Sequence, residues 1–179
     1  MANNSAVGIR WDLSDLFAAH DDGKIESTLI NCRTSAEKFA VRFRQALEEP
    51  ATLSAATLRE ALQELERIYE ALGRVGSYAG LLYAADTAKP EYQDLEQRVE
   101  RRSTEIRNLL LFFELAWLKI DDVIADKLTK DKQLSPYQHY LTSLRRYRPH
   151  TLSELEEKLL NEKDNTGRNA FGRLFSEIT

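Results

Sequence analysis

The sequence predicts an all-α fold, an antiparallel bundle of long helices followed by shorter carboxyl-terminal helices. Helix-breaking residues are scarce, because only 7 Gly and 4 Pro occur in 179 residues. Leu, Ala, Glu and Arg, which lose little side-chain freedom in a helix, recur throughout. Apolar residues also return every three or four positions over long stretches, which is the spacing that builds one buried helix face.

The first long helix is predicted from Lys24 to Glu49, and Pro50 stops it. Before it, residues 1–10 are polar and predict a flexible tail, while residues 11–17 predict a short helix or turn. The apolar stripe of the long helix consists of Ile25, Leu29, Cys32, Ala36, Phe39, Phe43 and Leu47.

A second long helix is predicted to begin near Ser54 or Thr57 and to end before Pro90. Thr57-x-x-Glu60 has the spacing of a capping box, in which two side chains satisfy backbone N–H groups of the first turn. Three glycines inside this helix cost about 1 kcal/mol each relative to alanine. A phosphate-binding loop is disfavoured, because no strand precedes them and no Gly-Lys-Ser or Gly-Lys-Thr follows. Close approach of a neighbouring backbone, or a local bend, is predicted at Gly73, Gly76 and Gly80.

A third long helix is predicted from Pro90, since proline suits the first turn of a helix. Between residues 109 and 118 apolar side chains surround the helix, which predicts a central position. This apolar stretch is too short to span a bilayer. Together the long helices are predicted to occupy residues 24–126. The stripe of the third helix consists of Leu95, Val99, Ile106, Leu109, Phe113, Ala116 and Ile120.

Shorter helices are predicted over residues 134–179, after a short segment from Asp122 to about Lys130. Ser135-Pro136 predicts the cap and first residue of a helix that ends at Arg146. Arg148-Pro149 then interrupts the helical pattern.

Ser153-x-x-Glu156 is a second capping box and predicts the start of another helix. Residues 164–167 are predicted to break that helix, and a new apolar face begins over Phe171–Ile178. The chain ends inside this pattern without a Gly or Pro terminator, which predicts that Thr179 is followed by further polypeptide and that this is one lobe of a larger protein.

Charge and cysteine content restrict the function classes. The formal net charge is −4 and the pI is near 5.5, so phosphate backbones and anionic lipids are not attracted to the chain as a whole. We therefore predict neither nucleic acid nor membrane as a partner. Cys32 is the single cysteine, and the first ten residues lack the basic-then-apolar pattern of a signal peptide, which predicts a cytoplasmic location.

No cluster of residues with catalytic spacing occurs in the sequence. His-Glu-x-x-His, which binds zinc and activates its water, is missing, and the three histidines are far apart. Cys32 lies on an apolar stripe, and no Gly-x-Ser-x-Gly elbow is present. The basic run at residues 145–148 is accounted for by its place near a helix carboxyl terminus. We therefore predict no catalytic residue, no metal ligand and no cofactor in this chain.

Several blocks of sequence, taken in order, carry a family resemblance. They are Trp11–Phe17, Tyr78–Thr87, Phe112–Leu115, Tyr137–Leu160 and Thr166–Phe171. In this order they resemble the amino-terminal part of oligoendopeptidase F-type zinc peptidases of the M3 family, relatives of the thimet-like oligopeptidases. The resemblance spans nearly the whole chain, and the block that begins at residue 137 is its most specific part.

The resemblance implies a helical lobe that packs against a catalytic lobe of the same polypeptide. In the family the catalytic lobe carries His-Glu-x-x-His and a downstream Glu that bind zinc, and a deep channel admits short peptides. Those ligands have no counterpart here, so no catalytic or metal residue is carried over, and the chain alone is expected to be inactive. Its implied role is to form part of the channel wall of a peptidase that hydrolyses oligopeptides.

Five residues are candidates for contact with a peptide in that channel. Tyr78 and Tyr83 would stack on the peptide or hydrogen-bond to its backbone. Arg145, Arg146 and Arg148 would bind a terminal carboxylate. For each residue the alternative is packing in the core or a solvated charge.

A stand-alone helical interaction module is the alternative to an enzyme lobe. Its amphipathic helices would bind a partner, or a second copy of the chain, through an exposed apolar face. The apolar end at Phe171–Ile178 predicts such a face, and with it a homodimer of the isolated chain.

Overall fold

The computed structural model describes residues 11–178, the side chain of Glu177 excepted, and within this range it contains helices and no strand. This confirms the predicted all-α class. The predicted tail at residues 1–10 lies outside the described residues. The helices are α1 (Gly23–Glu48), α2 (Ala55–Ala85), α3 (Pro90–Lys119), α4 (Asp122–Thr129), α5 (Gln138–Arg145), α6 (Glu154–Thr166) and α7 (Arg168–Ile178), with 3-10 turns at Lys132–Tyr137 and Arg148–His150.

Short connections make α1, α2 and α3 an antiparallel three-helix bundle. The carboxylate of Asp22 caps α1 by accepting the N–H of Lys24 at 2.9 Å. The stripe predicted for this helix is confirmed, because all seven of its residues are buried. The predicted turn over residues 11–17 is also present, and Phe17 from this turn is buried against the bundle.

The amino terminus of α2 differs from the predicted capping box. Ser54 is the cap, and its hydroxyl accepts the N–H of Thr57 at 3.0 Å. Thr57 therefore lies inside the first turn, where a cap cannot be, and the prediction based on Thr57 and Glu60 was wrong. Both Ser54 and Thr57 carry a hydroxyl that can cap a helix. Ser54 is the cap because its backbone is extended, as a cap position requires, whereas Thr57 is already helical.

No neighbouring backbone packs closely against the three glycines of α2. A Cβ built at Gly73, Gly76 or Gly80 would meet nothing within 4 Å, so the predicted close approach was wrong. The reason is their position on the helix. The bundle contacts α2 through its buried residues, such as Leu72 and Val75, whereas the glycines border open space.

The carboxyl-terminal half of α3 is the centre of the molecule, as predicted. Phe113 and Trp117 are fully buried, and the Phe39 ring of α1 lies 5.7 Å from Phe112 and 6.0 Å from Phe113 between ring centroids. The indole N–H of Trp117 donates to the carbonyl of Leu141 in α5 at 2.9 Å. One residue of α3 therefore fills the core and attaches the shorter helices to it.

Two predicted boundaries among the shorter helices shift. The prediction that Ser135 caps α5 was wrong: α5 begins at Gln138 without a side-chain cap, and Ser135 and Pro136 lie inside the preceding 3-10 turn. Asp131 caps that turn, since its carboxylate accepts the N–H of Gln133. The predicted break over residues 164–167 narrows to Gly167, since α6 continues to Thr166. A Cβ at Gly167 would lie 2.9 Å from the carbonyl oxygen of Lys163, so glycine is required there. The capping box of Ser153 and Glu156 is confirmed.

Truncating the aromatic core should be costly. Phe39→Ala removes a fully buried ring between α1 and α3, and we expect a loss of about 3–5 kcal/mol in the free energy of unfolding. Val41→Ala is the matched control on the same helix, because Val41 is 87% exposed, and it should change stability by less than about 0.5 kcal/mol. Urea unfolding followed by circular dichroism measures both, and equal effects would contradict the assigned core.

Candidate functional site

The five residues predicted to contact a peptide lie in two separate places. Tyr78 is buried on α2, with its ring 5.2 Å from that of Phe17 in an edge-to-face arrangement. Tyr83 is also buried on α2. Arg145, Arg146 and Arg148 lie around the end of α5.

Arg145 closes the carboxyl end of α3. Its guanidinium donates to the carbonyls of Trp117 and Ile120 at 2.9 and 2.8 Å, and it pairs with Asp122, whose pKa it holds below the ordinary value. Arg148 reaches the same carboxylate of Asp122 at 3.1 Å. Arg146, between them, is exposed.

The structure does not bring the tyrosines and the arginines together. Tyr78 lies beside Tyr92 at the amino end of α3, whereas Arg145 binds Trp117 near its carboxyl end. At about 1.5 Å per residue, that span of helix is roughly 37 Å long. A single short peptide bound at one group would therefore be far from the other.

A ladder of polar side chains joins α6 and α7 to α3. Each step moves four residues forward along α6 and α7 and four residues back along α3, so the segments run antiparallel with one contact per helical turn. The steps are Asn161 with Asn108, Asn165 with Thr104, Asn169 with Glu100, and Arg173 with Glu96 and Glu100.

Charged side chains interact at both ends of this polar ladder. At one end Arg44 of α1 lies over the Phe112 ring, and its hydrogen bonds, together with one from Lys158, lower the pKa of Glu154 to about 2. At the other end burial, then the charge of Glu100, raises the pKa of Glu96, while Arg173 opposes that shift.

The apolar residues of α6 and α7 face away from the bundle. Leu155 is 79% exposed and Phe171 is 73% exposed, and α6 has no buried residue among those described. An amphipathic helix on a globular protein normally turns its apolar face inward, so the arrangement here is reversed. We call this surface the outer face; it consists of Leu155, Leu159, Leu160, Phe171, Leu174 and Ile178.

Sequence reasoning missed the polar ladder, although a signal for it exists. Asn161, Asn165, Asn169 and Arg173 recur every four positions, which places them on one face if the helix continues. Interpreting residues 164–167 as a break removed that continuity. The single hinge at Gly167 preserves it in the structure.

An open groove of about 870 Å³ lies between α2, α3 and the 3-10 turn that precedes α5. Leu62 and Leu65 supply apolar walls. Three tyrosines and three glutamates complete most of the lining, and we call it the tyrosine–glutamate groove. They are Tyr69, Tyr137, Tyr140, Glu66, Glu70 and Glu114.

Hydroxyl groups hold two of the carboxylates of the groove in place. Tyr137 donates to Glu66 at 2.8 Å, and Tyr140 donates to Glu114 at 3.3 Å. Burial raises the pKa of Glu114, although the hydrogen bond from Tyr140 acts in the opposite direction. Burial, then the charge of Glu114, raises the pKa of Tyr69 to about 12.

The described part of the chain does not fit a zinc ion. Between residues 11 and 178, no three His, Cys, Asp or Glu side chains come together as possible metal ligands. His20 lies against the ring of Tyr92, His139 lies beside Ser143, and His150 is exposed in a 3-10 turn. No helix in that same range is long and apolar enough to cross a membrane.

The buried carboxylate of Glu114 predicts a pH-dependent gain from Glu114→Gln. Because the pKa of Glu114 is raised in the folded state, the folded protein holds this proton more tightly, and stability falls as pH rises above the ordinary glutamate value. Glutamine removes the charge and keeps an acceptor for Tyr140. We expect Glu114→Gln to melt higher than the parent at pH 8, by roughly 2–4 °C if the gain is about 1 kcal/mol.

Thermal unfolding at pH 8 and pH 4 tests this expectation, and the advantage of Glu114→Gln should shrink at the lower pH. Glu37→Gln is the control, because the Glu37 side chain is 53% exposed and its ion pair with Arg33 lies at the surface. An advantage that is absent at pH 8, or equally large at pH 4, would contradict the burial of Glu114.

Comparison with known proteins points to one family. Residues 117–179 match a family model described as Oligopeptidase F. The matching segment begins at Trp117, so it includes α4, α5 and both helices of the outer face. No solved structure shows significant similarity to the chain.

Relatives with assigned names agree with that match. Oligopeptidase PepF of Bacillus subtilis is 32% identical over 110 residues, which cover 61% of this chain and 16% of that protein. The oligoendopeptidase F homolog of Lactococcus lactis is 24% identical over 161 residues, covering 88% of this chain and 26% of the relative. The oligoendopeptidase F homolog of Borreliella burgdorferi is 26% identical over 151 residues, covering 84% of this chain and 24% of that relative. The chain thus spans about a quarter of these relatives or less.

Proposed function

We propose that this chain, which is similar to the amino-terminal region of oligoendopeptidase F-type peptidases, forms the non-catalytic lobe of a peptidase that hydrolyses short peptides. The observation that carries the proposal is the outer face. Its residues lie in the segment that matches the family, and they are apolar and exposed, whereas polar residues attach the same helices to the bundle. A catalytic lobe of the same polypeptide would cover this face.

In this proposal the chemistry belongs to the catalytic lobe, which would bind zinc and activate water for attack on the peptide bond. This chain would supply rigid helices for one wall of the channel and would restrict entry to oligopeptides by shape. Of the candidate residues, Arg146 and Arg148 are exposed, and Arg148 pairs with Asp122, so Arg146 is the one we propose for contact with a peptide. Tyr78, Tyr83 and Arg145 would support the wall from inside the packed helices.

A cytoplasmic location fits the same proposal. Cys32 is buried in the core as a free thiol and needs no oxidising compartment. The formal net charge of −4 gives no general attraction to nucleic acid or to anionic membranes.

The outer face also supports the alternative, an interaction module that self-associates. A second copy of the chain would bury the same residues of the outer face by isologous contact. The two proposals differ in what covers the face, so one set of variants separates them.

Leu155→Ala and Leu159→Ala should have effects that depend on context. In the isolated chain both residues are exposed, so we expect changes below about 0.5 kcal/mol in the free energy of unfolding. In a longer polypeptide that includes the catalytic lobe, each should cost about 2–5 kcal/mol, because the leucines would be buried. Chemical denaturation of both proteins measures the difference.

Leu134→Ala is the matched control, because Leu134 is fully buried within this chain and should cost the same in both contexts. Small effects of Leu155→Ala and Leu159→Ala in both proteins would contradict the proposed lobe contact. A loss that appears in the isolated chain and grows with its concentration would favour the self-associating module.

A further inference from the structure

The tyrosine–glutamate groove is separate from the outer face, since none of its lining residues belongs to α6 or α7. None of the residues that line it in the described part of the chain is Lys, Arg or His. Its walls are apolar and aromatic, and its only charged groups are carboxylates. Such a groove complements a ligand with an apolar stem and a cationic head.

Elsewhere in this chain, arginine side chains contact an aromatic ring and a carboxylate at the same time. Arg44 lies 4.3 Å from the centroid of the Phe112 ring and pairs with Glu154. Arg42 lies 4.6 Å from the centroid of the Phe43 ring and pairs with Glu64. In both places one arginine contacts a ring face and also pairs with a glutamate.

A third case of the same arrangement closes α3. The Arg145 guanidinium lies 5.7 Å from the centroid of the Trp117 ring and pairs with Asp122. The groove repeats the ring and the carboxylate of these three sites, but its lining contains no arginine. A guanidinium from another molecule would complete it.

We propose that the tyrosine–glutamate groove binds the arginine side chain of a peptide. The alkyl stem lies along Leu62 and Leu65, and the planar guanidinium stacks against a tyrosine ring. Its N–H groups donate to the carboxylate of Glu114 and to one of the glutamates at the rim. Arginine is favoured over lysine because the guanidinium is planar, is less strongly hydrated and stacks on aromatic rings.

Three arginines of the chain act on tyrosines of the groove, but they do not line it and so do not occupy the proposed arginine site. Arg107 acts electrostatically on Tyr69, and Arg59 and Arg67 act on Tyr137, but none of the three belongs to the lining. Glu157 of α6 adds a further negative charge that acts on Glu114. The site is a property of this chain's own residues and does not depend on the proposed catalytic lobe.

Binding is tested on the isolated chain with blocked tripeptides. The probe is acetyl-Ala-Arg-Ala-amide, and the matched probes carry citrulline, which has the shape of arginine without its charge, or lysine. Titration calorimetry measures affinity, and the ring signals of Tyr69, Tyr137 and Tyr140 in nuclear magnetic resonance spectra locate the site. We expect the citrulline and lysine peptides to bind at least about tenfold more weakly than the arginine peptide.

Glu114→Gln should weaken binding of the arginine peptide about tenfold, and Glu91→Gln, at the distant amino end of α3, should leave it unchanged. The double variant Glu66→Gln and Glu70→Gln, which keeps Glu114, should also weaken binding of the arginine peptide. Equal binding of the citrulline or lysine peptide would overturn the assignment. So would the absence of binding, or a loss with Glu91→Gln as large as with Glu114→Gln. A missing arginine site would leave the lobe contact untouched, because that contact is tested at Leu155 and Leu159.

Discussion

The carboxyl end of α3 holds the two parts of this chain together. Trp117 fills the core of the long-helix bundle, and its indole N–H fixes α5 through the carbonyl of Leu141. Arg145 then returns from α5 to the carbonyls that end α3 and to Asp122. Backbone carbonyls in the last turn of a helix lack the usual partner within the helix, so the guanidinium of Arg145 supplies donors to two carbonyls at this end and anchors the shorter helices.

The interactions that hold α6 and α7 in place differ from those that hold the bundle together. The bundle is joined by apolar side chains, whereas α6 and α7 are joined to α3 by amides and ion pairs. Polar contacts such as Asn161 with Asn108 fix register but contribute little net stability, because both partners also bond well to water. The outer face that results is suited to a contact with further polypeptide, which is the basis of the proposed lobe function.

Local periodicity was sufficient to predict the long helices, because their burial follows directly from spacing. All seven residues of the α1 stripe are buried, and α3 begins at Pro90. What depends on tertiary surroundings was not predicted. Examples are the choice of Ser54 over Thr57 as a cap, the open space beside Gly76, and the 3-10 turn that Asp131 caps before α5. The groove is a harder case, because it joins three parts of the sequence that no single periodicity connects.

Hydrogen–deuterium exchange of Arg145→Ala, with Arg146→Ala as the control, tests the central role of the α3 junction most directly. Arg145 binds the end of α3, whereas its neighbour is exposed. The structure predicts faster exchange over residues 132–150 in Arg145→Ala alone, with α1, α2 and α3 retaining the protection of the parent. Identical exchange in the two variants, or an equal acceleration in every helix, would contradict it.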